Sequence, residues 1–306
     1  MRARASIFTG IFINAVAAFL AVAVISLSCC KIRHSDENGS VSVALSFADD
    51  EDRRMTSINE VGLWIFDGNG ARVGEYAYSG AAELALQRYH LDPGGYLFVT
   101  SVNLTDPFVC ADPTKTTGSE GLMFGLKSPA SSPAHAFYGV TEVLVRGDKS
   151  QVINSELGRI LSELAIKVSG APPGSSLKAT IRSVSVGLHP AQKDEDGHYG
   201  LADKDEIRSI NLPEGRERSD SIIIPVTRLM PTARGSRHTI IDLAFTLANG
   251  KVMECSILAP AMRPSGKYIL LMEYAAMRPT LIVEPYKINE WTEGWRFNGE
   301  ILDPDD

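Results

Sequence analysis

The chain has few of the residues that build metal and redox sites. Only four of its 306 residues are cysteine, at positions 29, 30, 110 and 255, and no two of them have the CxxC spacing. None of the six histidines is paired at the i, i+4 spacing of a helical zinc protease. The sequence therefore predicts neither a metal site nor a cofactor site.

Local signatures of catalysis and of nucleic-acid binding are also missing. The chain has no G-x-S-x-G motif, and Gly68, Gly70 and Gly74 do not have the spacing of a phosphate-binding loop. Its 30 basic and 37 acidic residues give a formal charge of −7, and the basic residues are scattered singly along the chain. We predict a protein that is not an enzyme and that binds no nucleic acid.

The first 28 residues have the form of an export signal. Arg2 and Arg4 precede an uncharged run from Ile7 to Leu27. Because this run approaches the roughly 20 residues that span a bilayer, an uncleaved membrane anchor is the alternative to a cleaved leader. The end of the run, ISLSC, resembles the lipobox of bacterial lipoproteins, in which the cysteine after the cut is lipidated.

Cys29 is the predicted lipidation site. The residue before it, Ser28, is small, whereas a cut before Cys30 would leave Cys29 in that position. Stable anchoring by lipid takes more than one acyl chain, which a diacylglycerol cysteine supplies. An exported location would also permit a disulfide between Cys110 and Cys255, with two separate buried thiols as the alternative.

The hydrophobic pattern beyond the leader is that of β-strands. Val41 to Phe47 alternates apolar and polar residues. Val61 to Phe66 is rich in β-branched and aromatic residues and is followed by Asp-Gly-Asn-Gly, so it predicts a hairpin with a return strand at Arg72 to Tyr76. Similar runs continue to the end of the chain without helical periodicity, and they predict an all-β protein.

The turn-rich stretch GAPPGSS, Gly170 to Ser176, divides these runs into two groups. We therefore predict a signal peptide at residues 1–28, a polar tether at 29–40, and two antiparallel β-sandwich domains at 41–170 and 171–306.

Two polar segments of the first domain are predicted to lie in solvent. Thr105 to Ala134 is rich in Pro, Ser, Thr, Asp and Gly, which is typical of a long surface excursion, with at most a short helix near Leu122 to Leu126. The charge run from Asp49 to Arg54 is predicted to be a solvated loop.

The segment from Gln192 to Asp203 partly matches a calcium-binding loop. Asp194, Asp196 and Gly197 occupy suitable positions, but Gln192 replaces the leading aspartate and Asp203 replaces the bidentate glutamate. No helical pattern flanks the segment. A solvated hairpin tip is the preferred interpretation.

The order of these segments resembles the fimbrillin-associated anchor family. The matching stretches are INEVGLWIFDGNGARV, RYHLDPGGYLFVTSVNLTD, AFYGVTEVLV with LGRILSELAIKVSG, and LIVEPYKINEWTEGW, within Val41 to Trp295. Members of that family are outer-membrane lipoproteins of Gram-negative anaerobes that carry type V pili. The resemblance implies two transthyretin-like sandwiches in a surface-exposed, lipid-anchored protein that accepts an extended strand from a pilin.

A stalk or tip fimbrillin is one alternative role. The resemblance implies that stalk subunits lose their first strand to an Arg-specific protease, and Arg53-Arg54 follows the first strand of this chain. Anchors keep that strand, so we interpret Arg53-Arg54 as an ordinary loop pair. The short acidic tail after Trp295 suits a chain that accepts a strand rather than donates one.

A surface glycan-binding lipoprotein is the second alternative. Such a protein needs an exposed aromatic platform. The candidate residues are Trp64, Trp291, Trp295 and Tyr199, of which Trp64 lies in an apolar strand and is expected to be core.

Overall fold

The structure is a computed structural model that describes residues 40–111, 118–128, 132–147, 149–204, 207–218, 220–275, 278–284 and 296–298. Over these ranges the chain forms β-strands, two short helices, α1 (Asp50–Met55) and α2 (Ala81–Ala85), and one 3-10 turn (Ser119–Gly121). The all-β prediction is confirmed. None of the helices in the described ranges is long and apolar enough to cross a membrane.

The N-terminal half contributes the strands β1 (Ser40–Phe47), β2 (Val61–Asp67), β3 (Arg72–Tyr78), β4 (Tyr89–His90), β5 (Gly94–Val102), β6 (Phe108–Ala111), β7 (Met123–Leu126), β8 (Phe137–Val145) and β9 (Gln151–Arg159). Seven of them form a sheet in the order β3-β2-β5-β8-β9-β1-β4. Strands β8 and β9 share only two residue pairs. The sheet therefore divides there, and β3-β2-β5-β8 shares an apolar core with β9-β1-β4. Core residues include Val41, Val43, Leu63, Ile65, Phe98, Phe137 and Leu157.

The C-terminal half contributes β10 (Ser162–Ser169), β11 (Ser176–Ser185), β12 (Gly187–Lys193), β13 (Tyr199–Ala202), β14 (Ile207–Asn211), β15 (Arg216–Arg218), β16 (Ser221–Leu229), β17 (His238–Thr246), β18 (Val252–Pro260), β19 (Lys267–Glu273), β20 (Arg278–Glu284) and β21 (Arg296–Asn298). One sheet has the order β15-β16-β10-β19-β20-β21, and the other has the order β14-β11-β17-β18. Their shared core includes Ile166, Val168, Ile181, Ile222, Leu243, Phe245 and Leu270.

Each half also contains one parallel strand pair, which the hydrophobic pattern does not predict. Strand β1 runs parallel to β9 through seven residue pairs, and β10 runs parallel to β19 through seven residue pairs. In both halves the first strand is the one that pairs in parallel with a strand far along the chain. The remaining neighbours are antiparallel, as the predicted sandwiches require.

Strand pairing does not divide the halves at the predicted turn. Strand β10 precedes Gly170, but its neighbours are β16 and β19. We therefore propose that the domain boundary lies between β9 and β10, at Ile160-Leu161. The halves also share a third layer, because β7 pairs with β12 in a sheet of order β13-β12-β7-β6.

The prediction of a surface excursion from Thr105 to Ala134 is wrong where β6 and β7 lie. Phe108, Leu122 and Phe124 are buried, and the predicted helix near Leu122 to Leu126 is the strand β7. These strands are only four residues each, so their apolar residues are too few to stand out among the polar ones in the sequence.

Strand β2 is buried on both faces. Leu63 and Ile65 belong to the core of the first sandwich, whereas Trp64 and Phe66 belong to the core that continues into the C-terminal half. The Trp64 ring lies 5.5 Å from the ring of Phe124 in β7. This double burial explains why VGLWIF is continuously apolar rather than alternating.

A cluster of charged side chains lies where β9 leads into β10. The Arg159 guanidinium donates from Nη1 to Oε2 of Glu163 over 3.0 Å. The other carboxylate oxygen of Glu163 lies 2.9 Å from Nε2 of His135 and 3.4 Å from Nε of Arg228. Glu163 therefore connects β10 with β9, with β16 and with the segment before β8.

The prediction that Asp49 to Arg54 is a solvated loop is wrong for one residue. The segment contains α1, in which Asp52 is only 3% exposed and is paired with Arg159. The two residues are 107 positions apart. The run of acidic residues therefore gives no local sign that one of them is buried.

We expect Gly62→Ala to destabilise the protein by about 1–3 kcal/mol. A Cβ atom at this position would lie 2.7 Å from Oγ of Ser101 and 2.7 Å from the Trp64 ring. Urea unfolding of both variants measures the difference. The control is Gly95→Ala in β5, where no atom lies within 4 Å of the added carbon, and we expect a change within about 0.5 kcal/mol. Equal effects of the two substitutions would contradict the packing.

The Glu163 carboxylate makes stability depend on pH. Its hydrogen bond with His135 and the positive charges of Arg159 and Arg228 outweigh burial and lower its pKa to about 2. Because this folded-state pKa is below the unfolded value of about 4.3, the contribution of Glu163 is complete above about pH 5 and is lost as the pH falls toward 2.

Acidification from pH 5 to pH 2 lowers the unfolding free energy of the wild type. We expect this decrease to be smaller in Glu163→Gln by on the order of 2 kcal/mol. Urea titrations across this range measure the loss. Glu75→Gln is the control, because the Glu75 side chain is 52% exposed and pairs only with neighbouring Arg72 among the described ion pairs. An unchanged pH profile for Glu163→Gln would show that Glu163 is not held as a buried anion.

Candidate strand-pairing edges

The edges of the sheets are the places where this fold can bind another extended chain. An edge strand has one neighbour, so half of its backbone N–H and C=O groups lack a partner strand. In the part of the chain that the structure describes, the edge strands are β3, β4, β6, β13, β14, β15, β18 and β21. Five of these, β4, β6, β13, β15 and β21, have four residues or fewer. The longer edges are β3, β14 and β18.

Strand β18 is the longest and most regular of these edges. Its nine residues pair with β17 in nine consecutive antiparallel pairs, from His238↔Pro260 to Thr246↔Val252, without a register shift. In contrast, the pairing of β14 with β11 is interrupted between Ile181 and Val184, and that of β3 with β2 is interrupted next to Phe66. Bulges and irregular pairing protect an edge from further strand addition, and β18 has neither.

The side chains of β18 are also suited to continued pairing. Ile257 and Ala259 are buried in the core of the second sandwich. On the other face, Val252 is 51% exposed, and Glu254 is the one charged residue of the strand. Natural edges are often blocked by several charges or by a central proline. The proline of β18, Pro260, is its last residue.

The two cysteines of the body lie in different sheets. Cys255 is a free, half-buried thiol in β18, and burial, followed by the negative charge of Asp242, raises its pKa. Cys110 is exposed and lies in β6. The disulfide between Cys110 and Cys255 that the sequence left open is therefore not formed.

The position next to β9 is already filled by β1. Val41 and Val43 are buried in the first sandwich, and the N–H of Ala48 donates to the carbonyl of Leu157 beyond the end of the strand. Another strand can enter this position only by displacing β1. The edge at β18 differs, because a strand can be added there without removing a described one.

Two of the four aromatic residues predicted as a glycan platform do not provide one. Trp64 is buried, as expected for a core residue. Nζ of Lys193 lies over the Tyr199 ring, 4.6 Å from the ring centroid, and the Tyr199 hydroxyl donates to Glu142. The other two candidates, Trp291 and Trp295, and the predicted lipidation site Cys29 lie outside the described residues.

The segment resembling a calcium loop is the hairpin tip between β12 and β13. Oδ1 of Asp194 accepts hydrogen bonds from the backbone N–H groups of Asp196, over 3.0 Å, and His198, over 2.8 Å. The other end of the segment, Asp203, is 7% exposed, and its Oδ1 atom lies 3.3 Å from Nε2 of His189. The segment is therefore a hairpin tip, and in it Asp194, Asp196 and His198 place possible ligand atoms within 4.8 Å of one another.

The fold is similar to those of several solved structures. No curated protein sequence matches this chain. The structure of the fimbrial anchor protein Mfa2 from Porphyromonas gingivalis aligns with a TM-score of 0.52 and 11% identity, covering 85% of this chain and 100% of that chain.

Two structures from Bacteroides species are also similar. A candidate polysaccharide-binding protein of Bacteroides thetaiotaomicron aligns with a TM-score of 0.55 and 15% identity, covering 87% of this chain and 99% of that chain. A candidate adhesin of Bacteroides ovatus aligns with a TM-score of 0.54 and 14% identity, covering 90% of this chain and 99% of that chain. At these identities, the likeness shows a shared fold.

Family membership rests on the sequence itself. A family profile described as fimbrillin-A associated anchor proteins Mfa1 and Mfa2 matches residues 33–293, which is most of the chain. The resemblance seen in the order of the strand motifs is thereby confirmed. This chain belongs to the family of fimbrillin-A associated anchor proteins.

Proposed function

We propose that this protein is an anchor or minor subunit of a fimbrium, held at the outer membrane by lipid, and that it binds a pilin by accepting an extended strand. The observation that carries the proposal is the family match over residues 33–293. The family match and the similarity to the fimbrial anchor protein Mfa2 of Porphyromonas gingivalis support a location at the cell surface or in a fimbrium, and neither indicates an enzymatic activity.

The accepting edge in this proposal is β18. A strand added next to it would satisfy the unpaired backbone groups, and every second side chain of the added strand would face the same side as Ile257 and Ala259. Backbone hydrogen bonds would supply most of the affinity, and side-chain contacts beside β18 would select the partner.

The occupied position of β1 favours an acceptor at β18 over a stalk or tip fimbrillin that exchanges its first strand. Addition at an open edge orders only the incoming segment, whereas exchange at β1 would also expose Val41 and Val43. Exposure of such side chains costs about 1.5–3 kcal/mol each. The filled position of β1 and the open edge of β18 are both consistent with an anchor that keeps its first strand and binds one pilin.

Attachment to the membrane is assigned to Cys29 in this proposal. The leader-like residues 1–28 and the polar residues after the cysteines fit a chain that is cut before Cys29 and tethered through lipid. The first described strand begins at Ser40, eleven positions after Cys29, so a lipid on Cys29 would keep the first sandwich near the membrane surface.

We expect Cys29→Ala to release the protein from the outer-membrane fraction, because the residue that carries the lipid is removed. Membrane fractionation and the intact mass of the detergent-extracted protein measure this. Cys30→Ala is the matched control and is expected to leave both the attachment and the lipid mass unchanged. If the Cys29→Ala variant stays in the membrane fraction and its Cys30 carries no lipid, lipid anchoring at position 29 is contradicted.

We expect Val252→Lys to reduce the amount of pilin that copurifies with the protein by about tenfold, because a lysine on an edge strand disfavours strand addition. The matched control is Val73→Lys in β3, since Val73 is 50% exposed and also lies on an edge strand. Quantitative mass spectrometry of the purified complex measures the pilin.

Hydrogen exchange gives a second test of the accepting edge. In the isolated protein, alternate amides of β18 should exchange rapidly because they point away from β17, and in the pilin complex they should become protected. Protection of β3 or β14 instead, with β18 unchanged, would place the accepting edge elsewhere.

A further inference from the structure

The short helix α1 follows directly from β1 and cannot be stable by itself. It has six residues, whereas isolated helices shorter than about 12 residues are marginal in water. The side chain of Asp49 caps its first turn by accepting from the N–H of Glu51 over 2.8 Å, and the N–H of Thr56 donates to the carbonyl of Asp52. These local bonds define its ends, so its position depends on contacts with the rest of the protein.

The first of these contacts is a buried ion pair with β9. The Arg159 guanidinium donates from Nε to Oδ2 of Asp52 over 2.8 Å and from Nη2 to Oδ1 over 2.6 Å. Asp52 is 3% exposed and Arg159 is 4% exposed. Two parallel charge-assisted bonds fix the geometry of the pair, and the loss of Arg159 would leave the buried charge of Asp52 uncompensated.

The second contact joins α1 to β19 in the other half of the protein. Nζ of Lys267 lies 3.1 Å from Oε2 of Glu51 and 3.5 Å from Oδ2 of Asp49. Burial alone would lower the pKa of Lys267, but the hydrogen bond and charge of Glu51 together with the charge of Asp49 raise it. The lysine is therefore held as a cation between α1 and the second sandwich.

The contact between Lys267 and Glu51 connects the end of β1 to the C-terminal half without involving the pairing of β1 with β9. Strand β1 pairs fully with β9, but β4 covers only Ser40 and Val41 on its other edge. Residues from Val43 to Phe47 thus have one hydrogen-bonded strand neighbour among the described strands. Contacts made by α1 at the end of β1 add a second attachment.

We propose that α1 is an ionic latch, formed by Asp49, Glu51 and Asp52 with Arg159 and Lys267, that locks β1 into the first sandwich. The latch closes after β1 has paired with β9, because Arg159 is the last residue of β9 and Asp52 lies just beyond the end of β1. Opening of β1 requires the buried charges to separate first. The latch does not depend on strand acceptance at β18.

Hydrogen exchange of the Asp52→Asn variant tests whether the latch holds β1 in place. The substitution keeps the shape of the side chain and removes its charge, so Arg159 loses one of its carboxylate partners and keeps Glu163. We expect amides of β1 and α1 to exchange about 100-fold faster than in the wild type, whereas those of β17 change by less than threefold. The control is Arg182→Gln, which removes the 2.7 Å pair with Asp242 in the second sandwich and leaves α1 untouched. We expect it to leave exchange of β1 unchanged.

A milder variant covers the case in which Asp52→Asn does not fold. Lys267→Gln removes both contacts with α1 while its side chain is already 24% exposed, and we expect exchange of β1 to rise about threefold to tenfold. Unchanged exchange of β1 in the folded variants, or an equal rise in β1 and β17, would overturn the latch.

Strand uptake supplies a second readout, which reports the opening of β1 directly. A labelled synthetic peptide with the sequence SVSVALSFADD, which corresponds to Ser40 to Asp50, is incubated with the full chain. We expect the wild type to exclude it and the Asp52→Asn or Lys267→Gln variant to incorporate it in place of β1. Equal uptake by wild type and variants would show that β1 is not locked. Loss of pilin binding in the Val252→Lys variant does not alter this result.

Discussion

The layer formed by β2 and β5 must bury apolar side chains on both of its faces, and the rest of the molecule is arranged around that requirement. One face is covered by β1 and β9, and the other by the sheet that β6 and β7 share with β12 and β13. Because the second cover includes strands from both halves, the C-terminal sandwich cannot separate without exposing Trp64 and Phe66. The two halves therefore form one body around a common core.

The sequence pattern predicts those parts of the fold that are local. The hairpin of β2 and β3 follows from the apolar run before Asp67 and from Gly70, whose positive φ closes the turn. The strands of the second sandwich also appear as alternating runs. The predicted core role of Trp64 is correct for the same reason, since its neighbours on both sides are apolar.

Contacts between distant segments are not visible in the pattern. The parallel pairing of β1 with β9 joins Val41 to Gln151, and nothing near either residue indicates its partner. Asp52 belongs to a run of charged residues that the sequence predicts to be exposed to solvent. Its burial is possible because it pairs with Arg159. Strand β18 can be predicted as a strand, but its position at an edge depends on the order of all four strands in its sheet.

The parallel arrangement of β1 and β9 has a mechanical consequence. A pull on the chain before Ser40 would act on the N-terminal end of β1, while Arg159 holds the opposite end of the ladder through α1. Forces applied at opposite ends of two parallel strands load all of their hydrogen bonds together instead of breaking them one after another. Lys267 then carries part of the load into β19. A protein built in this way would resist a pull on its N-terminal end with all seven residue pairs of β1 and β9 at once.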